Sequence, residues 1–448
     1  MNHTALSKPT PNKRTFGKSN ELNERFHKLI PGGAHTYAKG DDQFPEFMAP
    51  IITRGKGCHV WDVDGNEFIE YGMGLRAITL GHAYEPVTNA AAQQMQLGNN
   101  FVRPAAIELE AAERFLSFIK GAEMVKFGKN GSDATSAAIK LSRAYTGRDR
   151  VAICASHPFF SVDDWFIGST AMAAGIPQVI RDLTMKFTYN DLQSVEGLFS
   201  KFPGQIACLI MEPEKDVPPS NNFLHEVQRL CSREGSVFVL DEMINGFRWH
   251  NGGGQAFYDI VPDLATFGKG MGNGFSISAL AGKKEIMKLG GLRHDKQRVF
   301  LLSLTHGAEA PTLAAALEVM KIYREKPIVK TLWQQGERLQ TGVNNAISDL
   351  RLDGFIELIG RPCNLVYATR DQDQQPSQPF RTLFLQETIR RGLLAPSLVV
   401  SYSHTDQDID MTVSVFREAF EVYRKALDEG VEKHLMGRPV KPVFRQFN

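Results

Sequence analysis

Lys269 and Asp241 combine reactive side chains with neighbours that would activate them. Lys269 follows the apolar segment LATF and lies between Gly268 and Gly270. Glycines let the backbone approach a ligand closely, and a lysine there can form a Schiff base when its pKa is lowered. Asp241 ends the apolar segment SVFVLD, where a buried carboxylate needs a cation or a donor. A protonated heterocyclic nitrogen would serve for Asp241. The structural alternatives are an ordinary loop lysine and an ion pair of Asp241 with a lysine or arginine such as Arg248.

A third segment, VKFGKNGSDATSAAIKLSR, has the pattern of a strand, a glycine-containing loop and a helix. Loop amides and the first turn of a helix bind anions. The patterns GxxxxGKS and GxxxxGKT are absent, because no Lys-Ser or Lys-Thr pair follows Gly131. The functional interpretation is one phosphate held by Asn130, Gly131 and Ser132, and the alternative is a simple capped helix. Thr305, in SLTHGAEAP, indicates by itself only a helix start.

The elements that must position these residues alternate between short apolar strands and helices. The predicted strands are 124–127, 151–155, 207–211, 237–241, 264–267, 279–282 and 300–304. The predicted helices are 134–145, 224–234 and 309–323. Such alternation predicts an α/β fold with a mostly parallel sheet flanked by helices. Ligands bind at the carboxyl ends of strands in such sheets, which is where these candidate residues lie.

The flanking regions have a different character. Residues 1–20 are polar and predict a flexible arm, followed by a helix over 21–30. The segment CHVWDVDGNEFIEYG alternates around Asp64-Gly65 and predicts a hairpin with a tight primed turn. After residue 326 the pattern is sparser, with a helix ending at Gly392 and a long final helix after Thr405. We therefore expect a large domain over 76–325, and a small α+β domain formed by 326–448 and joined by 21–75.

Composition excludes several classes of protein. The chain has 51 Lys+Arg against 50 Asp+Glu, which argues against nucleic acid as a partner. No run approaches the ~20 apolar residues of a membrane span, and the N-terminus lacks the apolar segment of a secretory signal. Five scattered cysteines without CxxC spacing predict neither disulfides nor a metal site. These features favour a cytoplasmic location.

Glycine is the one unusual count, at 39 against about 31 expected from average usage. Several glycines lie around the phosphate loop, Asp241 and Lys269, where the backbone must approach a ligand. Gly252–Gly254 has no such role, and we expect it to form a mobile loop.

The order of phosphate loop, aspartate and a lysine 28 positions later is that of fold-type I pyridoxal-phosphate enzymes. The chain resembles the class-III aminotransferases, most closely the glutamate-1-semialdehyde 2,1-aminomutase-like group. The resemblance extends over nearly the whole chain through the motifs PGGAHTYAKG, DVDGNEFIEYG, NGSDATSAAIKLSRAYTGRDR, VLDEMINGFR, PDLATFGKGMGNGFSISALAGKKEIM, THGAEAPTLAAALEV and SHTDQDIDMTVSVF. It implies a seven-stranded large-domain sheet and pyridoxal 5'-phosphate as cofactor.

The resemblance also implies individual roles. Lys269 matches the lysine that forms the internal aldimine and then carries a proton between the substrate and the cofactor. Asp241 matches the aspartate that keeps the pyridine nitrogen protonated. Met243 matches an apolar residue that packs under the ring.

The remaining cofactor contacts follow from the same resemblance. Asn130, Gly131 and Ser132 match the phosphate loop. Thr305 matches a threonine that reaches the phosphate of the neighbouring subunit, which implies a homodimer with shared active sites.

The sequence departs from this group around the substrate. Where relatives have a tyrosine that stacks on the pyridine ring, this chain reads SHPFFSVDDWF, so that either Phe159 or Phe160 takes this position. Lys39 lies nearest the arginine that binds the substrate carboxylate in true aminomutases. Arg76 lies in GMGLRAITLGH, where they read Gly-Ser-Trp-Gly. Glu212, at the end of a strand, is a candidate for the substrate pocket or for an ion pair.

The retained cofactor residues and altered substrate wall favour an aminotransferase with a different substrate. We expect an amino acid donor such as glutamate and a carbonyl acceptor, a sugar or another polar ketone or aldehyde. The alternative is intramolecular amino transfer of the glutamate-1-semialdehyde aminomutase type. A catalytically silent binding protein of the same fold is a third class, and the intact Lys269 and Asp241 argue against it.

Overall fold

The computed structural model describes residues 14–156 and 159–447. Most of the expected N-terminal arm therefore falls outside the described residues. The first helix begins at Gly17, so that the expectation of a flexible arm up to residue 20 is wrong for its last four positions. This helix ends at Leu29, where Pro31–Gly33 begins a separate 3-10 turn.

Strands and helices alternate through the middle of the chain. The strands are β1 (Ile52–Lys56), β2 (His59–Asp62), β3 (Glu67–Glu70), β4 (Met124–Gly128), β5 (Arg150–Cys154), β6 (Thr184–Phe187), β7 (Ile206–Met211), β8 (Val237–Asp241), β9 (Leu264–Phe267), β10 (Ser278–Gly282), β11 (Ile356–Ile359), β12 (Val366–Thr369) and β13 (Leu393–Leu394). The helices are α1 (Gly17–Leu29), α2 (Met73–Arg76), α3 (Glu85–Leu97), α4 (Ala106–Leu116), α5 (Gly131–Thr146), α6 (Asp164–Ile167), α7 (Gln178–Arg181), α8 (Leu192–Lys201), α9 (Phe223–Arg233), α10 (Gly253–Phe257), α11 (Lys284–Met287), α12 (Ala310–Glu325), α13 (Ile328–Asp349), α14 (Gln378–Arg390) and α15 (Asp406–Glu429).

A seven-stranded sheet with the order β4-β10-β9-β8-β7-β5-β6 forms the centre of the fold. The pairs from β9 to β6 are parallel, whereas β10 is antiparallel to both of its neighbours. Every residue of β7, β8 and β9 is buried, as expected for a sheet covered on both faces. The predicted α/β class and mostly parallel sheet are confirmed.

One predicted strand is wrong. Residues 300–304 form no strand, and the seventh position is taken by β6 at the sheet edge. Phe300 is 71% exposed and Leu304 is 44% exposed, whereas Leu301 is buried, so that this run reaches the core without entering the sheet. The sequence TMKF of β6 carries a lysine that is exposed at the edge, which made this strand harder to predict.

A second sheet, with the order β1-β2-β3-β13, joins the two ends of the chain. The predicted β2–β3 hairpin is present, but the two-residue primed turn is wrong. Three residues, 63–65, form the loop, and within it only Gly65 has a positive φ, at 86°. β3 pairs in parallel with β13, which supports the expected small domain from both termini. The domain boundaries stay a prediction.

The glycine triplet 252–254, expected to form a mobile loop, instead leads into the short helix α10. Gly253 begins α10, and both it and Gly254 are buried against the carboxylate of Glu242. The side chain of Glu242 accepts hydrogen bonds from the backbone N–H groups of Gly254, at 2.7 Å, and Gln255. A Cβ on Gly253 would lie 2.7 Å from Oε2 of Glu242, so glycine is required by this close approach.

Among the described residues, every helix is too short or too polar to cross a membrane.

Candidate active site

Lys269 and Asp241 lie at the carboxyl ends of the neighbouring strands β9 and β8. Asp241 pairs with Thr266 across the two strands, and its Oδ1 accepts hydrogen bonds from Thr266 Oγ1 at 3.1 Å and Met243 N at 2.9 Å. Gly268 separates Lys269 from the strand, and Lys269 has a left-handed backbone with φ of 45°. The sheet thus brings both predicted catalytic side chains together.

Burial changes the protonation of both groups. It lowers the pKa of Lys269, although the negative charges of Asp241 and Glu212 act in the opposite direction. It raises the pKa of Asp241 to about 6, against the hydrogen bond from Met243 N and the charge of Lys269. The neutral amine of Lys269 is therefore more accessible near neutral pH than that of an exposed lysine.

Glu212 follows β7 and belongs to the same group of charges. Its pKa is raised by burial and by Asp241, whereas Lys269, Lys215 and Arg76 counteract the rise. Burial lowers the pKa of Arg76, opposed by Glu212 and Asp216. Two of the three predicted substrate residues, Glu212 and Arg76, thus lie close enough to Lys269 to affect its charge.

Arg76 is held by a residue from the C-terminal part of the chain. Its Nε donates to Oδ1 of Asn364 at 3.0 Å. Arg361 instead donates hydrogen bonds to Glu214 through its Nε and Nη2 atoms, and it also contacts Tyr258. Arg76 is therefore the better placed of these two arginines for contact with a substrate.

The predicted phosphate loop lies at the start of α5 and is locally well ordered. Asn130 is the N-cap: its Oδ1 accepts from Asp133 N at 3.2 Å, and Asp133 Oδ2 accepts from Asn130 N at 3.0 Å. Ser132 is buried, and its Oγ accepts from Val162 N at 3.0 Å. The predicted helix start is therefore present, and the amides of Asn130 and Asp133 are used by the cap itself. Phosphate binding by this loop stays a prediction.

Met243 connects the phosphate loop to the lysine. A Cβ on Gly131 would lie 3.3 Å from its Sδ, and a Cβ on Gly268 would lie 2.7 Å from the same atom. Met243 thus lies between the start of α5 and the backbone that precedes Lys269. Glycine at both positions lets the Met243 side chain pack against the backbone there.

The two phenylalanines left open by the sequence differ in exposure. Phe160 is 2% exposed, packs edge-on against Phe166 and accepts a hydrogen bond from Thr135 Oγ1 on its backbone oxygen. Phe159 is 45% exposed and contacts Phe166 with one edge at a centroid distance of 5.7 Å. Only Phe159 of the pair presents much of its ring to solvent.

Lys39 and Thr305 lie at the surface of the chain. Lys39 is exposed in the 3-10 turn Tyr37–Lys39. Thr305 is also exposed, and its backbone oxygen accepts from Asn100 Nδ2 at 2.9 Å. The single chain does not bring these two side chains into the group around Lys269.

The sequence reasoning missed Asn273, which fixes the turn after Lys269. Its Oδ1 accepts from Thr79 N at 3.0 Å and Leu80 N at 2.9 Å, and its Nδ2 donates to Gly81 O at 3.0 Å. The signal was an isolated amide among the glycines of GKGMGNG, which suits the left-handed φ of 44°.

Arg248 is not the ion-pair partner of Asp241 that the sequence suggested as an alternative. It is fully buried and donates to backbone oxygens of Cys363, Val400 and Arg76, so that the proposed ion pair with Asp241 is wrong.

Comparison with known proteins identifies the family. Residues 37–361 match the model of the class-III aminotransferases. The glutamate-1-semialdehyde 2,1-aminomutase of Sulfurihydrogenibium azorense is 29% identical over 437 residues, covering 90% of this chain and 99% of that protein. The corresponding protein of Persephonella marina is 29% identical over 427 residues, covering 90% and 98%.

Solved structures agree with this assignment. The FumI protein of a Sphingopyxis species, in its pyridoxal-phosphate internal aldimine form, has a TM-score of 0.85 at 26% identity, covering 95% of this chain and 99% of that one. An omega-transaminase from Sphaerobacter thermophilus has a TM-score of 0.79 at 24% identity, covering 90% and 97%, and shows the shared fold. The chain is a fold-type I enzyme that belongs to the class-III aminotransferase family and uses pyridoxal phosphate.

Proposed function

We propose that this enzyme transfers an amino group from an amino acid donor to a polar ketone or aldehyde, with sugar carbonyls among the acceptors. The observation that carries the proposal is the buried group of Lys269, Asp241 and Glu212 beside Arg76. Lys269 and Asp241 are the residues that amino transfer needs. Arg76 and Glu212 form a charged, hydrogen-bonding wall that suits a polar substrate.

The residues of the site fit pyridoxal phosphate. The buried carboxyl of Asp241, the buried amine of Lys269 and the start of α5 are a set of groups suited to a phosphorylated heterocycle. Asn130, Gly131 and Ser132 would hold the phosphate at the start of α5. When bound, the cofactor supplies an electron sink for the bonds at the substrate carbon.

The chain's own groups then have distinct tasks. Nζ of Lys269 binds the cofactor and later carries the proton, for which its lowered pKa is suited. The Asp241 carboxylate, fixed by Met243 N and Thr266 Oγ1, would keep the ring nitrogen protonated. Phe159 is the better candidate to stack on the ring, because Phe160 is committed to the core.

Substrate recognition is assigned to Arg76, Glu212 and Lys39. A raised pKa keeps Glu212 partly protonated near neutral pH, so that the positive charge of Arg76 is left to attract an anionic or strongly polar group. Lys39 is assigned by resemblance, and its exposure supports contact with a substrate only at the mouth of the site.

A spectral screen of amino donors tests the first half of the reaction. Each donor is mixed with the purified holoenzyme, and the visible band of the lysine-bound cofactor is followed. A true donor removes the band, and a true acceptor restores it. Lys269→Ala removes the band while circular dichroism stays unchanged. An enzyme whose band never returns with any carbonyl compound is not an aminotransferase.

The second candidate is intramolecular amino transfer, as in an aminomutase. It is favoured by the relatives with that name, which are 29% identical over nearly their whole length. The two functions differ in nitrogen balance. With ¹⁵N-labelled glutamate present, an aminotransferase places the label in the product, whereas an aminomutase moves the substrate's own unlabelled nitrogen.

We also propose a homodimer in which Thr305 completes the partner's active site. Exposed apolar side chains near Thr305 support it: Phe101 is 51% exposed, Val102 100%, Phe300 71% and Leu304 44%. A patch of this kind is typical of an interface.

Mixed dimers test the shared site. Thr305→Glu and Lys269→Ala are each expected to be inactive alone. In each mixed dimer formed on co-expression, one of the two sites has both an intact Lys269 and an intact Thr305. About half of the dimers are mixed when subunits associate at random, so that about a quarter of the wild-type activity is restored. Activity that stays at zero rejects the shared site, provided that light scattering shows dimers.

A cytoplasmic location is the last part of this proposal. All five cysteines are buried free thiols, which supports a reducing compartment. Secretion of the native protein into the medium would contradict it.

A further inference from the structure

Three potential metal ligands meet at the contact between the β1–β2 hairpin and the first turn of α15. Cys58 Sγ lies 3.4 Å from Asp408 Oδ2, and His59 Nε2 lies 3.1 Å from Asp408 Oδ1. One potential ligand atom of each of the three residues, Cys58, His59 and Asp408, lies within 4.8 Å of the other two. We call these residues, Cys58, His59 and Asp408, the hairpin–helix cluster.

Local backbone geometry allows two neighbouring residues to face the same point. Lys56 pairs with His59, so that Gly57 and Cys58 form a two-residue turn, with a φ of 61° at Gly57. Successive side chains of a regular strand point to opposite faces, and the turn breaks that alternation. Cys58 and His59 therefore both reach Asp408.

A second carboxylate lies close to His59. Nδ1 of His59 lies 2.9 Å from Oε1 of Glu67, while Nε2 faces Asp408, but Nδ1 makes no hydrogen bond in this arrangement. In metal sites, a histidine ligand usually donates its second ring N–H to a carboxylate, which directs the other nitrogen to the metal. Glu67 is close enough to accept that hydrogen bond from a metal-bound His59.

Carboxylates lie on both sides of His59. Asp408 faces Nε2 of its ring, and Glu67 lies beside Nδ1. Asp408 Oδ2 also accepts hydrogen bonds from N and Oγ1 of Thr405, at 2.8 and 2.7 Å, which hold its side chain at the start of α15.

We propose that Cys58, His59 and Asp408 bind a divalent transition-metal ion of the zinc type, with water as the fourth ligand. A thiolate, an imidazole and a carboxylate are the donor set that zinc prefers. Cys58 is 1% exposed, whereas the His59 side chain is 31% exposed, so that water reaches the cluster from one side. On binding, the metal–sulfur bond replaces the S–H bond of Cys58, and the proton leaves to solvent.

Metal at this position would join the two ends of the chain. His59 and Asp408 are 349 residues apart, in the N-terminal hairpin and the C-terminal helix. Binding to the native state alone stabilises a protein. The expected effect is thus a more stable small-domain sheet, with no change in the cofactor's own absorbance.

Zinc binding by the holoenzyme tests the proposal. After treatment with a chelator and gel filtration, the wild type is titrated with zinc sulfate, and bound zinc is measured by atomic emission. We expect about one zinc per chain, release of a proton, and a rise in the melting temperature. Cobalt as a substitute is expected to give the visible bands of a tetrahedral site with a sulfur ligand.

Matched variants assign the ligands. Cys58→Ser and His59→Gln are each expected to weaken zinc binding at least tenfold, and Glu67→Gln about tenfold through the orientation of His59. Cys231→Ser and His225→Gln, both on α9, are the controls and are expected to bind like the wild type. Equal zinc affinity in Cys58→Ser and the wild type, or no zinc at all in the wild type, overturns the proposal. The proposal is also overturned if zinc alters the visible band of the cofactor equally in Cys58→Ser and in the wild type. The metal would then lie at Lys269.

Discussion

Glu242 is a buried carboxyl group whose protonation is expected to govern the pH dependence of stability. It is fully buried next to Asp241 and accepts hydrogen bonds from Gly254 N and Gln255 N. Burial raises its pKa from 4.5 to about 8, and the nearby charges of Asp241 and Glu212 act in the same direction, whereas the two backbone hydrogen bonds act against it. The unfolded chain ionises this group near its ordinary pKa.

The sign of the effect follows from the raised pKa. Below pH 4.5 the carboxyl is protonated in both states, and its contribution to stability is fully present. As the pH rises from 4.5 to about 8, the unfolded state loses the proton while the native state keeps it, so that unfolding becomes easier. Between pH 5 and pH 8 the cost from Glu242 is about 3 kcal/mol, at 1.36 kcal/mol for each pKa unit.

Glu242→Gln removes the titration and keeps the shape. At pH 5 the variant is expected to be less stable by about 1–3 kcal/mol, because one of the two backbone N–H groups faces an amide nitrogen and loses its acceptor. By pH 8 the difference in the free energy of unfolding between variant and wild type closes or reverses, because Glu242 has lowered the stability of the wild type alone.

Equilibrium urea unfolding at several pH values measures this gap. The exposed Glu196 on α8 provides the control, and Glu196→Gln is expected to follow the wild-type curve. If Glu242→Gln and the wild type differ by the same amount at pH 5 and pH 8, Glu242 does not keep its proton in the native state and the reasoning is refuted.

Three further substitutions test the packing around the site. Gly268→Ala places a Cβ 2.7 Å from Sδ of Met243, and is expected to lower cofactor occupancy, measured by absorbance after dialysis. Asn273→Ala leaves two backbone N–H groups and one carbonyl without their partner, and is expected to cost about 1–3 kcal/mol and to slow cofactor binding to Lys269. Gly197→Ala, in α8 with open space around the added methyl, is expected to stabilise the enzyme by about 0.5–1 kcal/mol; a loss of stability there contradicts the role given to open space.

The meeting of Asp241 and Lys269 could be predicted because it depends on local patterns. Asp241 ends one short apolar strand and Lys269 follows another, and parallel strands place such ends at the same sheet edge. A capped helix at the phosphate loop was visible for the same reason, although α5 begins at Gly131 and not at residue 134. The run 300–304 shows the limit of the pattern: it is as apolar as a strand, but its hydrogen-bonding partner and its exposure are set by the rest of the fold.

Contacts between distant segments were not visible in the sequence. The absence of CxxC spacing predicted no metal site, yet a two-residue turn brings Cys58 and His59 to Asp408. The glycine triplet appeared to have no role until the fold placed it on Glu242. In both cases the missing information was the pairing of segments far apart in the chain.

The turn that carries Arg76, which we propose as part of the substrate wall, has an unusual backbone. Four consecutive residues have left-handed backbones: Met73, Gly74, Leu75 and Arg76. For the three that are not glycine this costs roughly 3 kcal/mol or more in total, which must be offset by contacts nearby. Asn273 binds the backbone just beyond the turn, and Asn364 binds Arg76 itself. The position of Arg76 is therefore fixed by strained backbone held from two sides. Asn364→Ala should therefore change the ratio of kcat/KM between substrates before it changes cofactor binding.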